Sequence, residues 1–407
     1  MNIGIDARFY SGEFAKGLGR YTEELIDHLL TTDTQNHYVL FLQGSGMSAW
    51  KEKFAQDPAL AQRVRIVEAP YRWYTLAEQI GMPRLIRRAG VDMMHFPHFN
   101  VPLLYRKPFI VTIHDLIILQ FPTKRASTLA PIVYWIKQFA AKRVLSHAAK
   151  NAQHVITVSE FSKKDICTYF HLPEDRVTVT YESAHEYSFV APDDAQTPDG
   201  QAAVDQRVVH RYGITGPYIL YVGNAYPHKN IEQLIAVAAL AKKQMPLDGS
   251  GDFPWKFVFV GKKDYFYERI IDLAQQHGVA DRVQCIGYVP DRDLGSLYRR
   301  ATAYIFPSLY EGFGLPPLEA MQYGTPVICS TSSCLPEVVG DAAYPIDPHS
   351  SSAILTAIED VLHSEDTRQD LINKGYERLK LFSWEKMAEQ TLAVYKQYGK
   401  NTKTKTR

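Results

Sequence analysis

Glu311-Gly-Phe-Gly-Leu-Pro-Pro-Leu-Glu319 places two carboxylates eight positions apart, on either side of a glycine-rich turn and two prolines. The apolar run Ala303–Phe306 before it predicts a buried parallel strand, and the residues from Pro316 onwards predict a helix, since proline at a helix start loses no hydrogen bond. Glu311 is therefore expected on the strand-to-helix loop, with Glu319 in the first turns of the helix and directed back toward that loop. Ligands of open α/β sheets bind beyond the carboxyl ends of the strands, and carboxylates accept hydrogen bonds from hydroxyl groups. The stretch predicts an α/β fold with a site for a polyhydroxylated ligand.

Short apolar runs alternate with helical periodicity along the rest of the chain, as in a parallel sheet that is buried on both faces. The pattern predicts two doubly wound, Rossmann-like domains, residues 1–185 and 217–382, on either side of a polar, turn-rich linker at 186–216. A last helix is expected within residues 383–400. The predicted strands are 2–5, 38–42, 64–68, 93–95, 109–113, 155–158 and 177–180 in the first domain, and 218–222, 256–260, 283–286, 303–306, 327–329 and 343–344 in the second.

The composition is typical of a soluble globular protein, with 46% hydrophobic and 22% charged residues and a formal net charge of +1 over 407 residues. A charge this close to zero gives no support for a nucleic-acid partner. The four cysteines form no C-x-x-C pair, which favours a reduced, cytosolic protein. The chain opens with a strand-like run instead of a signal peptide, and no apolar stretch is long enough to cross a bilayer. We therefore expect a cytoplasmic protein whose contact with a membrane, if any, is peripheral.

Two glycines, Gly17 and Gly19, follow the first predicted strand and open the first long helix. Glycine lets the backbone approach a ligand closely, and a helix N-terminus favours an anion. The spacing differs from the G-x-G-x-x-G of dinucleotide-binding proteins, so the residues alone equally allow a flexible connection.

Two further strand ends contain candidate site residues. His114 ends a predicted strand, where both a structural histidine and a histidine that lines the ligand crevice are consistent with the sequence. In the second domain, Gly223 allows a sharp exit from the first strand. Lys229 follows next to a helix start, where its charge can neutralise a diphosphate.

The longer phrase Pro307-Ser-Leu-Tyr-Glu-Gly-Phe-Gly-Leu-Pro-Pro-Leu-Glu-Ala-Met-Gln-Tyr-Gly-Thr-Pro-Val327 resembles the retaining glycosyltransferases of the GT-B fold, family 4 (group 1, mannosyltransferase-like), and the resemblance extends over nearly the whole chain. In that family two Rossmann-like domains face a cleft, the N-terminal one for the acceptor and the C-terminal one for a nucleotide sugar, and a C-terminal helix crosses back onto the N-terminal domain. The resemblance implies a hexosyltransferase that moves a hexose to a glycan or lipid-linked glycan with retention of configuration. Mannose from GDP-mannose is the first expectation for the donor.

The resemblance also implies functions for individual residues. Glu311 is expected to contact sugar hydroxyls, Glu319 to bind the ribose diol and Lys229 to bind the diphosphate, while His114 is expected beside the transferred sugar as a hydrogen-bonding group. Asn224 departs from the family, because many relatives have an arginine directly after the glycine. The residues expected to be catalytic are His114, Glu311 and Lys229, and those expected to bind the donor are Gly17, Gly19, Gly223, Asn224, Lys229, Glu311, Gly312, Phe313, Gly314, Leu315 and Glu319.

No metal ion or other cofactor is expected. Asp291-Arg-Asp293 has the spacing of a metal-binding D-x-D motif, but it immediately precedes a predicted helix at 294–300, where aspartate is an ordinary first-turn residue. The resembled fold also handles its diphosphate without an obligatory metal.

Two alternative functions and one partner remain open. A non-catalytic glycan- or nucleotide-binding subunit, or another nucleotide-sugar enzyme such as an epimerase or a phosphorylase, would use the same architecture. Basic and aromatic residues of the N-terminal half also suit a peripheral contact with the inner face of the plasma membrane, although a solvated basic helix edge explains them equally well. These residues are Tyr71, Arg72, Trp73, Tyr74, Arg84, Arg87, Arg88, Lys124, Arg125, Lys137, Lys142 and Arg143.

Overall fold

The computed structural model describes residues 1–10, 17–121, 131–184, 197–244 and 255–399. They divide into two compact units. The chain changes from the first unit to the second between Glu182 and Ser183, and it returns to the first unit between Phe382 and Ser383. Each unit has its own parallel sheet with helices, as the alternating pattern predicts.

The first unit contains a seven-stranded sheet in the order β3-β2-β1-β4-β5-β6-β7, and all of its neighbouring strands pair in parallel. The strand order reverses direction between β1 and β4, which is where open sheets bind ligands. Its strands are β1 Asn2–Asp6, β2 His37–Leu42, β3 Val64–Glu68, β4 Met93–Phe96, β5 Phe109–Thr112, β6 His154–Thr157 and β7 Val177–Val179. Its helices up to Glu182 are α1 Leu18–Thr32, α2 Gly44–Gln56, α3 Leu60–Arg63, α4 Leu76–Ala89, α5 Ile117–Gln120, α6 Pro131–Asn151 and α7 Glu160–Phe170.

The second unit contains a six-stranded parallel sheet in the order β10-β9-β8-β11-β12-β13. Its strands are β8 Tyr218–Val222, β9 Lys256–Val260, β10 Val283–Gly287, β11 Ala303–Phe306, β12 Val327–Ser330 and β13 Ala343–Ile346. Its helices are α8 Pro198–Arg211, α9 Ile231–Gln244, α10 Tyr265–Gln276, α11 Asp291–Arg300, α12 Leu315–Gln322, α13 Leu335–Val339, α14 Ser351–His363 and α15 Glu365–Leu379. The predicted fold class, two Rossmann-like α/β domains, is confirmed.

Side-chain caps explain where several helices begin. The hydroxyl of Ser159 accepts a hydrogen bond from the Ser162 N–H at 3.1 Å and starts α7, as the sequence predicts. Thr75 caps α4 in the same way through the Glu78 N–H. Because each cap satisfies an N–H group that the helix itself leaves open, these positions fix the helix starts relative to the strand ends.

The last helix, α16 Trp384–Gly399, belongs to the first unit and packs against α1. The Tyr395 hydroxyl and His95 Nδ1 form a buried hydrogen bond of 2.6 Å, and His95 Nε2 pairs with the Thr112 hydroxyl at 2.9 Å. Burial lowers the pKa of His95 to about 3, so this imidazole is neutral. A fully satisfied polar contact therefore fastens the end of the chain to β4 of the first sheet.

The predicted linker is wrong for residues 198–211, which form α8. Thr197 caps this helix by accepting a hydrogen bond from the Gly200 N–H at 3.1 Å, and Pro198 stands in its first turn. Asp205 accepts hydrogen bonds from Arg299 and Ser296 of α11 at 2.7–2.8 Å, which anchors α8 on the second unit. The Thr-Pro-Asp sequence is a helix start, and the prediction mistook it for turn residues. Residues 186–196 of the predicted linker lie outside the described residues.

Candidate functional site

Glu311 lies on the loop between β11 and α12, as predicted, and forms an ion pair with Lys229. The Lys229 ammonium donates hydrogen bonds to both carboxylate oxygens, at 2.6 and 2.8 Å. The two side chains are only 15% and 9% exposed. Lys229 follows the β8 strand end, and β8 and β11 are neighbours in the sheet, so the two loops meet at one carboxyl edge. The structure thus brings together two of the three residues that were predicted to be catalytic.

Ser308 completes this cluster. Its fully buried hydroxyl lies 2.6 Å from Glu311 Oε1 and donates a hydrogen bond to it. The Lys229 ammonium also lies 5.5 Å from the centre of the Phe306 ring. The Lys229 ammonium and the Ser308 hydroxyl both bind the Glu311 carboxylate, and the Phe306 ring lies beside the ammonium. The Glu311 carboxylate is therefore a fixed hydrogen-bond acceptor whose negative charge is balanced by Lys229.

The glycine-rich turn after Glu311 leads directly into the N-terminus of α12. Gly314 has φ +101°, a backbone conformation that favours glycine, and a β-carbon there would lie 2.7 Å from Leu335 Cδ2. The Cys334 thiol lies 3.2 Å from the Glu311 carbonyl and 3.1 Å from the Phe313 carbonyl and acts as their donor. The turn is therefore held from behind, and Leu315 begins a helix whose first N–H groups have no partner within the helix.

Glu319 lies within α12 and is 6% exposed. The buried Tyr298 hydroxyl donates a hydrogen bond to its Oε2 at 3.3 Å. Its predicted position on the helix after the turn is correct. This phenol is a structural partner that the sequence motif did not indicate.

The loop after β8, which contains Gly223 and Asn224, offers less positive charge to a diphosphate than an arginine at position 224 would. Asn224 Oδ1 accepts a hydrogen bond from the Tyr226 N–H at 3.3 Å, so this side chain stabilises a local turn. Burial and the neighbouring Lys229 lower the pKa of His228 to about 4, so His228 adds no positive charge at neutral pH. A β-carbon at Gly261 would collide with the Gly223 carbonyl oxygen, which shows how closely the β8 and β9 loops approach each other.

In the first unit, Gly17 is the N-cap of α1 with φ +51°, a conformation that favours glycine. Its carbonyl oxygen accepts the Tyr21 N–H at 2.9 Å, and Gly19 is buried in the first turn. Residues 11–16 of the predicted loop lie outside the described residues. The two glycines therefore stand at a helix N-terminus, as the sequence predicts.

His114 is held at the end of β5 by two protein acceptors. Its Nε2 lies 3.0 Å from the Pro97 carbonyl oxygen, and its Nδ1 lies 3.1 Å from Glu182 Oε1. Burial acts to lower the pKa of His114, but the hydrogen bond and charge of Glu182 outweigh it and raise the pKa above its ordinary value. An imidazolium that donates from both nitrogens satisfies this geometry.

This arrangement bears on the predicted function of His114. Both ring nitrogens contact protein acceptors, so a hydrogen bond to a sugar requires the exchange of one partner. Glu182 was missed by the sequence analysis. It follows β7, so the strand-end argument that selected His114 applies to it equally.

We expect His114 to titrate above the ordinary histidine pKa of about 6.5 and Glu182→Gln to lower that pKa. Because the folded-state pKa is raised, the stabilisation is complete below the unfolded-state value and is lost as pH rises through the folded-state value. NMR titration of the imidazole Cε1–H signals measures this. His95, with a pKa of about 3, is an internal control that should not titrate near neutrality. A His114 pKa at or below the ordinary value would contradict the ion pair.

Asp293 of the D-x-D sequence is held by protein donors. Its carboxylate accepts hydrogen bonds from the Tyr212 hydroxyl at 2.7 Å and from Arg211 at 3.2 Å, which joins α11 to α8. Within the described residues, no three histidine, cysteine or acidic side chains form a cluster suited to a metal ion. In the same part of the chain, no helix combines the length and apolar character needed to span a bilayer.

Two family models match the chain in succession. Glycosyltransferase Family 4 matches residues 15–184, and Glycosyl transferases group 1 matches residues 206–378. An uncharacterised glycosyltransferase of Methanocaldococcus jannaschii is 30% identical over 321 residues, which cover 75% of this chain and 73% of the relative. The chain belongs to glycosyltransferase family 4. This glycosyltransferase is also similar to O-antigen chain mannosyltransferase B of Escherichia coli, with 29% identity over 388 residues, 93% of this chain and 96% of the relative.

Solved structures agree on the fold of the glycosyltransferase. Sucrose-phosphate synthase from Thermosynechococcus elongatus superposes with a TM-score of 0.70 and 20% identity, over 97% of this chain and 98% of that chain. At this identity the likeness supports the GT-B fold and nothing finer. Both sequence relatives are named as glycosyltransferases, so the epimerase, phosphorylase and non-catalytic alternatives gain no support from them.

Proposed function

We propose that this glycosyltransferase moves a mannosyl residue from GDP-mannose to a growing glycan or lipid-linked glycan, with retention of the anomeric configuration. The choice of mannose is supported by the Escherichia coli relative, an O-antigen chain mannosyltransferase that matches 93% of this chain. The donor site is supported above all by one observation, the constrained Lys229–Glu311 pair with Ser308 at the carboxyl edge of the second sheet.

The proposed reaction assigns complementary tasks to these groups. The bond from the anomeric carbon to the donor diphosphate breaks, an acceptor oxygen bonds to that carbon, and the proton of the acceptor hydroxyl passes to the departing diphosphate. Negative charge builds up on the departing diphosphate, where Lys229 and the N–H groups at the start of α12 are preorganised donors. Glu311 accepts hydrogen bonds from sugar hydroxyls and Glu319 from the ribose diol. We propose that these protein groups suffice without an obligatory metal ion.

A thermal-shift screen with GDP, UDP, ADP and dTDP, each with and without EDTA, tests the donor. A product nucleotide at about a hundred times its Kd stabilises by about 2.7 kcal/mol, so GDP should raise the melting temperature in the presence of EDTA. A shift with another nucleotide alone would overturn GDP-mannose, and a shift that EDTA abolishes would overturn metal independence. NMR of the product anomeric signal then tests retention.

We also propose that the first unit contacts the anionic inner face of the plasma membrane peripherally, through α4 and the loop 100–107. Leu76 is 83% exposed, and Ile80 follows one turn later on the same face. The Leu103 N–H donates to Gln79 Oε1 at 2.7 Å, so the exposed Leu103 and Leu104 lie beside these residues. Exposed apolar side chains in this number suit insertion into the headgroup region.

The charge around these four side chains, which we call the apolar tip, is one-sided. Glu78, the acid of α4, is buried in an ion pair with Arg8. Five basic side chains of the same two segments are exposed: Arg84, Arg87, Arg88, Arg106 and Lys107. Of the other basic residues suggested for a membrane contact, Lys137, Lys142 and Arg143 lie on α6 and are also exposed, whereas Lys124 and Arg125 lie outside the described residues. The protein as a whole has a net charge of only +1, so the positive charge is concentrated on this surface. A positive, partly apolar surface is suited to bind anionic lipid.

Leu104→Ser is expected to lower the fraction of protein that co-sediments with vesicles containing phosphatidylglycerol, because it removes apolar area that would enter the bilayer. The matched control is Leu381→Ser, since Leu381 is 53% exposed but lies on the second unit. Equal binding to vesicles of phosphatidylcholine alone, or equal loss in both variants, would contradict the proposed surface.

A further inference from the structure

A cavity of about 560 Å³ opens at the carboxyl ends of β1, β2 and β3 in the first unit. Its volume lies within the range of small-molecule sites. Phe9 and Trp73 form one wall, and the polar side chains of Gln43, Glu68 and Arg72 line it elsewhere. None of these residues was indicated as a ligand by the family motif.

The aromatic wall has the shape and chemistry that a pyranose ring needs. Phe9 and Trp73 are stacked, with ring centres 4.4 Å apart and planes inclined by 13°. The C–H face of a sugar ring packs against such flat aromatic surfaces, while its hydroxyl groups require donors and acceptors at the edge. Glu68 accepts hydrogen bonds, Arg72 donates them and Gln43 does both. The lining therefore matches a neutral sugar better than a purely apolar ligand.

The segment that presents Trp73 is rigidly held. The Tyr71 carbonyl oxygen accepts hydrogen bonds from Arg8 at 3.1 Å and from Gln43 at 2.5 Å. The Tyr71 ring packs on α4 at Gly81, where a β-carbon would collide with it. On the other side of Trp73, the Tyr74 N–H donates to Glu78 at 2.7 Å. A wall fixed at both ends loses little entropy when a ligand binds.

A row of contacts along the sheet edge connects this cavity to His114. The His114 imidazole bonds to the Pro97 carbonyl, and the next residue, His98, packs edge-on against Phe9 at 5.3 Å. The cavity is centred on β2, three strand spacings from β5, and three spacings amount to ~14 Å. That distance exceeds one pyranose ring, so a sugar in the cavity is not the one that reacts beside His114.

We propose that this cavity is a remote subsite for a sugar residue of the acceptor chain, several residues away from the hydroxyl that is glycosylated. The inference rests on the proposed function, since it presupposes a glycan acceptor, and it adds that the enzyme recognises an extended oligosaccharide. Acceptors too short to reach from His114 to Trp73 bind without this contact. The subsite thus makes the enzyme an elongating transferase.

Steady-state kinetics with manno-oligosaccharides of one to four residues test the subsite. For the wild type, acceptor KM should fall about tenfold from the shortest to the longest acceptor, which corresponds to about 1.4 kcal/mol of additional binding. Trp73→Ala should abolish this dependence on length, and Trp73→Phe should retain most of it. The control is Trp135→Ala, because Trp135 is also on the first unit and 54% exposed, but lies on α6.

Three outcomes would overturn the subsite: a wild-type KM independent of length, a length dependence that survives in Trp73→Ala, or an equal rise in KM for all lengths in that variant. Failure of the proposed function is distinguishable by a second measurement. Saturation-transfer NMR detects binding of the tetrasaccharide without turnover, so binding that Trp73→Ala removes supports the subsite even if GDP-mannose is not the donor. Absence of tetrasaccharide binding to the wild type contradicts the subsite directly.

Discussion

Lys229→Met is expected to lower turnover by about a hundredfold to a thousandfold, the usual effect of removing one preorganised donor from a site where negative charge develops. The structure gives a second reason for a large effect. The Lys229 ammonium also fixes both oxygens of the Glu311 carboxylate. The variant therefore removes the proposed contact with the diphosphate and also frees the carboxylate that we propose binds the sugar hydroxyls. Initial rates with saturating donor and acceptor measure the loss.

The free energy of unfolding reports on the second effect, the loss of the ion pair between Lys229 and Glu311. The side chains are 15% and 9% exposed, so removal of the lysine leaves a carboxylate that is nearly buried without its cation, which costs about 3–5 kcal/mol. Glu311→Gln keeps an oxygen that can accept the Ser308 hydroxyl and no longer needs a cation. The double variant Lys229→Met/Glu311→Gln should therefore recover most of the stability while remaining inactive. Chemical denaturation of the wild type, both single variants and the double variant measures this cycle.

Lys374→Met is the matched control, because Lys374 of α15 is 40% exposed and pairs with two exposed acids, Asp341 and Asp370. Such surface pairs contribute little, so neither the turnover nor the stability of this variant should differ measurably from the wild type. If Lys229→Met kept near-wild-type turnover after its stability loss had been corrected by the second substitution, the assignment of Lys229 to the diphosphate would be wrong.

Local features of this protein could be predicted from its sequence because they depend on neighbouring residues. The strand bounds follow the period of apolar residues, and Ser159 caps α7 through a group three positions away. Gly314 and Pro316 give the start of α12 by the same local chemistry. Each of these contacts spans at most a few residues, so the pattern alone determines it.

The pairings inside the site depend on strand order, which the pattern of apolar residues does not determine. Lys229 and Glu311 are 82 residues apart, and they meet because β8 pairs with β11 instead of with the next strand along the chain on that side. His114 and Glu182 are also distant in sequence, at 68 residues, and they follow β5 and β7, which lie on either side of β6 in the sheet. The motif resemblance assigned Lys229, Glu311 and His114 to a ligand one at a time and did not indicate Glu182. It therefore could not show that Glu311 pairs with Lys229 and that Glu182 pairs with His114.

Arg8→Met is expected to destabilise the first unit by about 3–5 kcal/mol or more, because it leaves two buried carboxylates without their cation. The Arg8 guanidinium is fully buried and bonds to Asp6 at 2.6 Å and to Glu78 at 2.7 Å. Folded proteins of ordinary stability unfold with about 5–15 kcal/mol, so the variant should melt at a much lower temperature. Differential scanning calorimetry measures this change.

The pH dependence of Arg8→Met identifies the cause of that loss. Burial raises the pKa of Glu78 above its ordinary value. The charge of Arg8 acts to lower this pKa, and the nearby charge of Asp6 acts to raise it. Without Arg8 that pKa rises further. An acid with a raised folded-state pKa destabilises the fold progressively as pH rises from its unfolded-state value through its folded-state value. The difference in stability between wild type and variant should therefore be smaller in mildly acidic buffer than at neutral pH.

Two further variants serve as a control and as a rescue for Arg8→Met. Arg87→Met changes an exposed arginine of α4 and should leave stability within about 0.5 kcal/mol of the wild type. Arg8→Met/Glu78→Gln removes the excess buried charge and should recover part of the loss, although the Tyr71 carbonyl still lacks the Arg8 hydrogen bond. If Arg8→Met lost the same stability at both pH values, its effect would arise from packing and not from the buried carboxylates. The electrostatic explanation of the stability loss in Arg8→Met would then be wrong.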